Sequence, residues 1–253
     1  IYLYYGGPGL NNSYDAAVSG GTAGDWFGVS AACAGDVNGD GLSDFIVGAN
    51  GNDAAANNAG AAYLFFGRTS INYSSSLTLT GTGAGDAFGS VVSSAGDVNG
   101  DGYSDVLVSA FLNDAGGVDA GRVYCYFGGA SMNNVVDVTF TGQAGSDEFG
   151  RGINSAGDVN GDGYSDIIIG APNNDGGATN AGRVYIYYGG SSVYNTADKT
   201  ITSTNANTNF GYSVAGIGDV NGDAFDDVIV GIPQSNRTAT NYGAADVYFG
   251  GIN

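Results

Sequence analysis

An acidic nonapeptide recurs four times in this chain, and its spacing never varies. It reads DVNGDGLSD from Asp36, DVNGDGYSD from Asp97 and again from Asp158, and DVNGDAFDD from Asp219, each start 61 residues after the one before. The glycine that closes YYG, FFG or YFG keeps the same step, at Gly6, Gly67, Gly128, Gly189 and Gly250. A period held to the residue over the whole chain means a repeat array, in which fold and chemistry are decided unit by unit. The units run 21–81, 82–142, 143–203 and 204–253, preceded by a partial one at 1–20.

The third unit is the easiest to parse. EFGRGINSAG (148–157) leads into the acidic loop, and SDIIIGAP (165–172) follows it. A variable stretch, NNDGGATN (173–180), separates this from AGRVYIYYGG (181–190) and a Thr-rich tail. Ile167-Ile168-Ile169 is a β-branched run bounded by turn residues, the signature of a buried strand. Leu77-Thr78-Leu79-Thr80 and Val136–Phe140 alternate with period two, as strands with one solvated face do. Each unit thus supplies about four strands: A around Phe-Gly, B after the acidic loop, C at the aromatic run and D in the Thr-rich part. The partial first unit supplies a C strand (1–5) and a D strand (14–20). Four short strands per unit, with no helical period anywhere, predict an all-β chain: a β-propeller of four-stranded antiparallel blades.

Composition narrows the partners. The formal charge of −19 rests on 25 acids against six bases, so phosphate backbones and anionic membranes are not expected partners. No stretch is long and apolar enough for a membrane span. Histidine is absent, which removes the commonest general base and the usual ligand of zinc, copper and non-haem iron. No nucleophile with an adjacent base stands out, so the chain reads as a non-enzyme. Asp25, Asp86, Asp147 and Glu148, next to the Phe-Gly marker, are expected to cap turns. The two cysteines, Cys33 and Cys125, sit at unrelated positions of the unit and are read as buried free thiols.

The acidic loop carries the chemistry. Oxygen-bearing side chains stand at positions 1, 3, 5 and 9, and the aspartates among them account for 12 of the 25 acids. The first loop offers Asp36, Asn38, Asp40 and Asp44, with the carbonyl of Leu42 as a further donor. The second offers Asp97, Asn99, Asp101 and Asp105 with Tyr103, and the third Asp158, Asn160, Asp162 and Asp166 with Tyr164. The fourth offers Asp219, Asn221, Asp223 and Asp227 with Phe225. Hard, mostly anionic oxygens suit Ca²⁺ above softer metals, and Ca²⁺ accepts the irregular shell a short loop provides. An EF-hand is excluded, because its twelfth position must be acidic and here it is Val47, Val108, Ile169 or Val230. Up to four ions are expected. The fourth site should be the weakest, since Ala224 replaces the turn glycine found at Gly41, Gly102 and Gly163.

With Phe-Gly at Phe27-Gly28, Phe88-Gly89, Phe149-Gly150 and Phe210-Gly211, these loops resemble the FG-GAP repeats of the integrin α-subunit propeller. The GAP marker is Gly170-Ala171-Pro172, with degenerate forms at Gly48-Ala49-Asn50, Ser109-Ala110-Phe111 and Gly231-Ile232-Pro233. The resemblance implies calcium on the A–B hairpin at the lower face. It also implies ligands at the upper face, through the D–A and B–C connections. The matching B–C segments, 50–60, 111–120, 172–181 and 233–243, are also the most divergent part of the unit. Integrin-like rings have seven blades, whereas four units are present here. The N-terminal D strand could complete the last blade of a small ring, two chains could form a larger one, or terminal strands could be exchanged into a filament.

The expected function is an extracellular adhesion or recognition module, secreted or on a cell surface, for a protein or glycan. The alternative is a structural subunit that associates with itself through its terminal strands. Trp26 stands alone at a position filled elsewhere by Ala87, Glu148 and Asn209; it is expected to be packed, with stacking on a sugar as the other reading. Asn11, Asn72 and Asn236 lie in N-x-S/T sequons.

Overall fold

The computed structural model describes residues 1–7, 9, 11–68, 74–235 and 242–252, and every regular element among them is a β-strand. β1 (Tyr2–Leu3) and β2 (Ala16–Ala17) form a short antiparallel pair. β3 (Ala31–Gly35), β4 (Asp44–Ala49), β5 (Ala61–Phe65) and β6 (Leu77–Thr80) form the first full blade. The second comprises β7 (Val92–Gly96), β8 (Asp105–Ala110), β9 (Arg122–Tyr126) and β10 (Val138–Thr141). The third comprises β11 (Gly152–Gly157), β12 (Asp166–Ala171), β13 (Arg183–Tyr187) and β14 (Lys199–Thr202). β15 (Val214–Gly218), β16 (Asp227–Ile232) and β17 (Ala244–Tyr248) make the fourth blade, three-stranded among the described residues.

Within a blade the strands pair in chain order and antiparallel, so each turn of the meander changes end. The A–B and C–D connections lie at one end of the blade, and the B–C and D–A connections at the other. Consecutive first strands (β3, β7, β11, β15) adjoin one another, which is the blade-to-blade stacking of a propeller.

The B strands explain their own composition. In β8 and β12 every residue is buried, because both faces of the sheet are covered. Val106 and Val108 point back to Ile46, Leu64 and Leu79 of the first blade, while Leu107 points forward to Phe149, Ile167 and Ile169 of the third. Ile168 of the third blade meets Val228 and Val230 of the fourth. The core is therefore a series of inter-sheet layers, and an uninterrupted apolar run suits a strand that serves two of them. The glycine of the GAP marker has a packing reason: a Cβ on Gly48 would run into the carbonyl of Gly89, in the next blade's Phe-Gly turn.

Four expectations need correction. Strand A begins after the Phe-Gly marker, not around it. Gly28, Gly89, Gly150 and Gly211 take φ near 90° and end the extension, turning Phe88, Phe149 and Phe210 into the core. The C and D strands expected at 1–5 and 14–20 shrink to two residues each, and β2 pairs with β1 instead of completing the last blade. Cys125 is a buried free thiol, as expected, and burial pushes its pKa well up; Cys33 is exposed. Its counterpart Ser94 is half-buried, its hydroxyl donating to the carbonyl of Ala34 in the preceding blade, a neighbour that Cys33 lacks among the described residues. Trp26 is not packed: it is 69 % exposed. Of the sequons, Asn11 is exposed, while Asn72 and Asn236 lie outside the described residues, as does part of the 233–243 segment.

Candidate metal loops and the face opposite them

The acidic loop is the A–B connection, entered through a bulge at Gly35, Gly96, Gly157 or Gly218. Position 1 organises it. Asp36 Oδ1 accepts hydrogen bonds from the N–H groups of Gly39 (2.8 Å) and Asp40 (3.1 Å), and Oδ2 accepts from Gly41 (2.9 Å). Asn38 Oδ1 accepts from the Asp40 N–H (2.9 Å), and its amide donates to Asp40 Oδ2 (3.0 Å). Asp40 Oδ1 accepts from the Leu42 N–H (2.9 Å). The same bonds recur around Asp97, Asp158 and Asp219.

Position 9 plays a different part. Asp44, Asp105, Asp166 and Asp227 are buried at the start of strand B. One carboxylate oxygen accepts from the N–H at position 2 (Val37, Val98, Val159, Val220). The other accepts from the glycine after strand C (Gly67, Gly128, Gly189, Gly250). A single side chain thus ties the loop to the ends of two strands, which explains why that glycine keeps the 61-residue step. Burial pushes the carboxyls of Asp105 and Asp166 up to about 7; the backbone donors work against the rise, and the loop's other aspartates add to it.

The residues that could hold a metal are the side-chain oxygens at positions 1, 3, 5 and 9 with the carbonyl at position 7, an all-oxygen set suited to a hard divalent cation. Among the described residues, no three acidic side chains converge on one point; the carboxylates are engaged with backbone N–H groups instead. Holding an ion therefore means that these oxygens share their remaining lone pairs with it, within a loop whose backbone is already folded.

Successive loops are also joined. The Ser104 N–H donates to the carbonyl of Asp36 (3.0 Å) and the Gly129 N–H to that of Val37 (2.8 Å), and the bonds repeat at Ser165, Gly190, Asp226 and Gly251. The position-7 side chain lies against the preceding loop: Tyr103 on Gly39, Tyr164 on Gly100 and Phe225 on Gly161. In the fourth loop the acid at position 8 adds a bond, Asp226 Oδ2 accepting from the Asp158 N–H at 2.8 Å.

The opposite end carries a second recurring device that the sequence reading missed. Asp25, Asp86 and Asp147 are buried and accept from the amides of Asn52 (2.7 Å), Asn113 (2.5 Å) and Asn174 (2.7 Å), binding the D–A turn to the B–C connection. A constant Asp–Asn separation of 27 residues was the available signal. In the fourth blade the positions become Thr208 and Ser235, which line a polar cavity of about 190 Å³. Glu148 faces Arg151 at 3.8 Å, and the Arg151 guanidinium stacks on Phe111 (4.3 Å) and Tyr212 (5.2 Å).

The profile of the FG-GAP repeat matches residues 28–65, 88–126, 149–187 and 210–248, one copy in each of the four blades. The chain belongs to the FG-GAP repeat family. Among its relatives, human integrin alpha-6 is 35 % identical over 153 residues, 60 % of this chain and 13 % of that protein. Integrin alpha-V of Gallus gallus is 32 % identical over 207 residues, 78 % of this chain and 19 % of that protein. Integrin alpha-PS5 of Drosophila melanogaster is 33 % identical over 172 residues, 65 % of this chain and 16 % of that protein. The FG-GAP chain thus spans less than a fifth of the length of these relatives.

Proposed function

We propose that this FG-GAP array is a non-enzymatic, calcium-stapled recognition module that works outside the cell. Calcium sits in up to four A–B loops, the Asp219 loop weakest, and a protein or glycan docks on the face opposite. One observation carries the reading. The same oxygen set recurs in the same frame at one end of every full blade, while the divergent connections gather at the other end. The likeness to integrin alpha chains supports an adhesive role.

In this reading the ion does scaffold work. It offsets the mutual repulsion of Asp36, Asp40 and Asp44 and their counterparts, and it holds the hairpin between strands A and B. Calorimetric titration of chelator-stripped protein should show three or four calcium sites, and excess chelator should lower the melting temperature by at least several degrees. An unchanged melting curve with no heat of binding sinks the calcium assignment.

A second reading, self-association by strand addition, is favoured by β17, whose one ladder partner among the described residues is β16 and beside which Val247 and Phe249 are exposed. Sedimentation velocity tests it; a single monomeric species at tens of micromolar rules it out.

A further inference from the structure

We propose that the groove between the first and second full blades, walled by Trp26, binds a neutral sugar ring; this rests on the upper-face recognition just described. Trp26 is the chain's one tryptophan, and it is held in a conformation that aromatic residues avoid, with φ at 57°. The turn that holds it is pinned on both sides. The Trp26 carbonyl accepts from the Val29 N–H (3.0 Å), the Asp25 carbonyl accepts from Gly51 (3.1 Å), and the Asp25 carboxylate is buried against Asn52. These bonds tie the turn down, yet the indole stays 69 % exposed. A large ring on a turn held by such bonds, contributing little to the core, is a platform.

The space beside it measures about 310 Å³ and is bounded by Trp26, Asn50 and Asn58 of one blade and Ala87 and Leu112 of the next. No charged side chain lines it. Beneath lies an unmet polar group: the Asn50 amide donates to Ser90 Oγ (3.0 Å), while its Oδ1, shielded from solvent, receives no protein donor. Buried without a protein donor, that oxygen carries a cost, and Asn50 itself forms part of the groove wall. Asn58 is fixed as well, its N–H bonded to Asp53 Oδ1 (2.7 Å) and its carbonyl accepting from the Ala87 N–H (3.2 Å).

Together these features describe the chemistry of a pyranose. Its C–H face covers an aromatic platform, and its hydroxyls meet amide groups at the edge. The net charge of −19 repels an anionic ligand. The groove is walled by turns, so it offers no strand edge for β-strand addition. The other junctions lack the pair: Trp26 gives way to Ala87, Glu148 and Asn209, and Asn50 to Phe111, Pro172 and Pro233.

The indole is its own reporter. Calcium-saturated protein titrated with neutral oligosaccharides ending in glucose, galactose, mannose or N-acetylglucosamine should give a saturable change in tryptophan emission with at least one of them. On a glycan-coated surface Trp26→Ala should weaken binding of that sugar at least tenfold and Trp26→Phe should restore part of it, with melting temperatures unchanged for both. A flat titration across the panel, or binding that survives Trp26→Ala, overturns the sugar site. Loss of binding in Phe111→Ala or Tyr212→Ala, with Trp26→Ala unaffected, likewise overturns it while leaving upper-face recognition standing.

Discussion

The ring of Tyr103 lies so close to Gly39 that a methyl group added to that glycine would stand 2.5 Å from the ring's Cε1. The two residues belong to successive acidic loops, so each loop is finished by a side chain from the next blade. Tyr164 on Gly100 and Phe225 on Gly161 repeat the contact. Loop integrity and blade stacking are therefore one property, and the first prediction follows. Gly39→Ala meets both this ring and a backbone φ of 75°, and should cost about 2–4 kcal/mol of unfolding free energy. Tyr103→Ala in the same background should recover part of that loss, because it removes the obstacle but not the strain. Denaturant unfolding of the two single variants and the double variant measures the coupling; strictly additive losses would refute it.

Ala224 occupies the left-handed position that glycine fills in the other three loops, with φ at 73° against 84°, 88° and 91° for Gly41, Gly102 and Gly163. Ala224→Gly should therefore stabilise the fold by up to about 1 kcal/mol and tighten the calcium site proposed for that loop. Thermal melts and a calcium titration of the variant check both, and a lower midpoint would count against the strain.

Asp105 separates a structural role from the proposed metal-binding one. Its two oxygens accept from Val98 and Gly128 in the core, so Asp105→Asn turns an N–H₂ group toward a backbone donor. The expected loss is about 2–4 kcal/mol, present in chelator as well as in calcium. Asp101→Asn, in the exposed part of the loop, should cost little in chelator and much of the calcium affinity. Equal behaviour of the two variants in chelator would refute the division.

A pH effect belongs to Asp147. Burial is the largest influence on this carboxyl and raises it above its ordinary 3.8, against the hydrogen bond from Asn174. The folded state thus holds the proton more tightly than the unfolded chain. That contribution to stability is complete below about pH 4 and fades as the pH climbs through the folded value. Asp147→Asn removes the titration, so wild-type stability measured relative to the variant should fall steadily from pH 4 toward neutrality. A difference that grows with pH would reverse the sign and refute the assignment.

Much of this was legible in the sequence because the repeat printed each signal four times. Ile167–Ile169 announced a buried strand, and Ala224 announced a strained turn by differing from Gly41, Gly102 and Gly163. Other features depend on contacts between distant positions, which one linear pass does not bring together. Asp25 read as a turn cap, since its partner Asn52 sits in a variable stretch. Asp44 read as one loop oxygen among four, although its burial and its bond to Gly67 set it apart. Exposure was least legible: Trp26 and Cys33 look like core residues by type, and only the packing of neighbouring blades decides that they are not.

The Tyr103–Gly39 contact also bears on how such a chain could lengthen. One unit carries a knob at position 7 of its loop and a hole at position 4, and these fit a copy of the same unit, not each other. Gene duplication in tandem therefore delivers both halves of a working joint in one event, with no second mutation needed to make neighbours compatible. An array of this kind can gain a blade without inventing an interface. Conversely, a change in the knob must be answered in the preceding copy, which holds all copies to one shared standard.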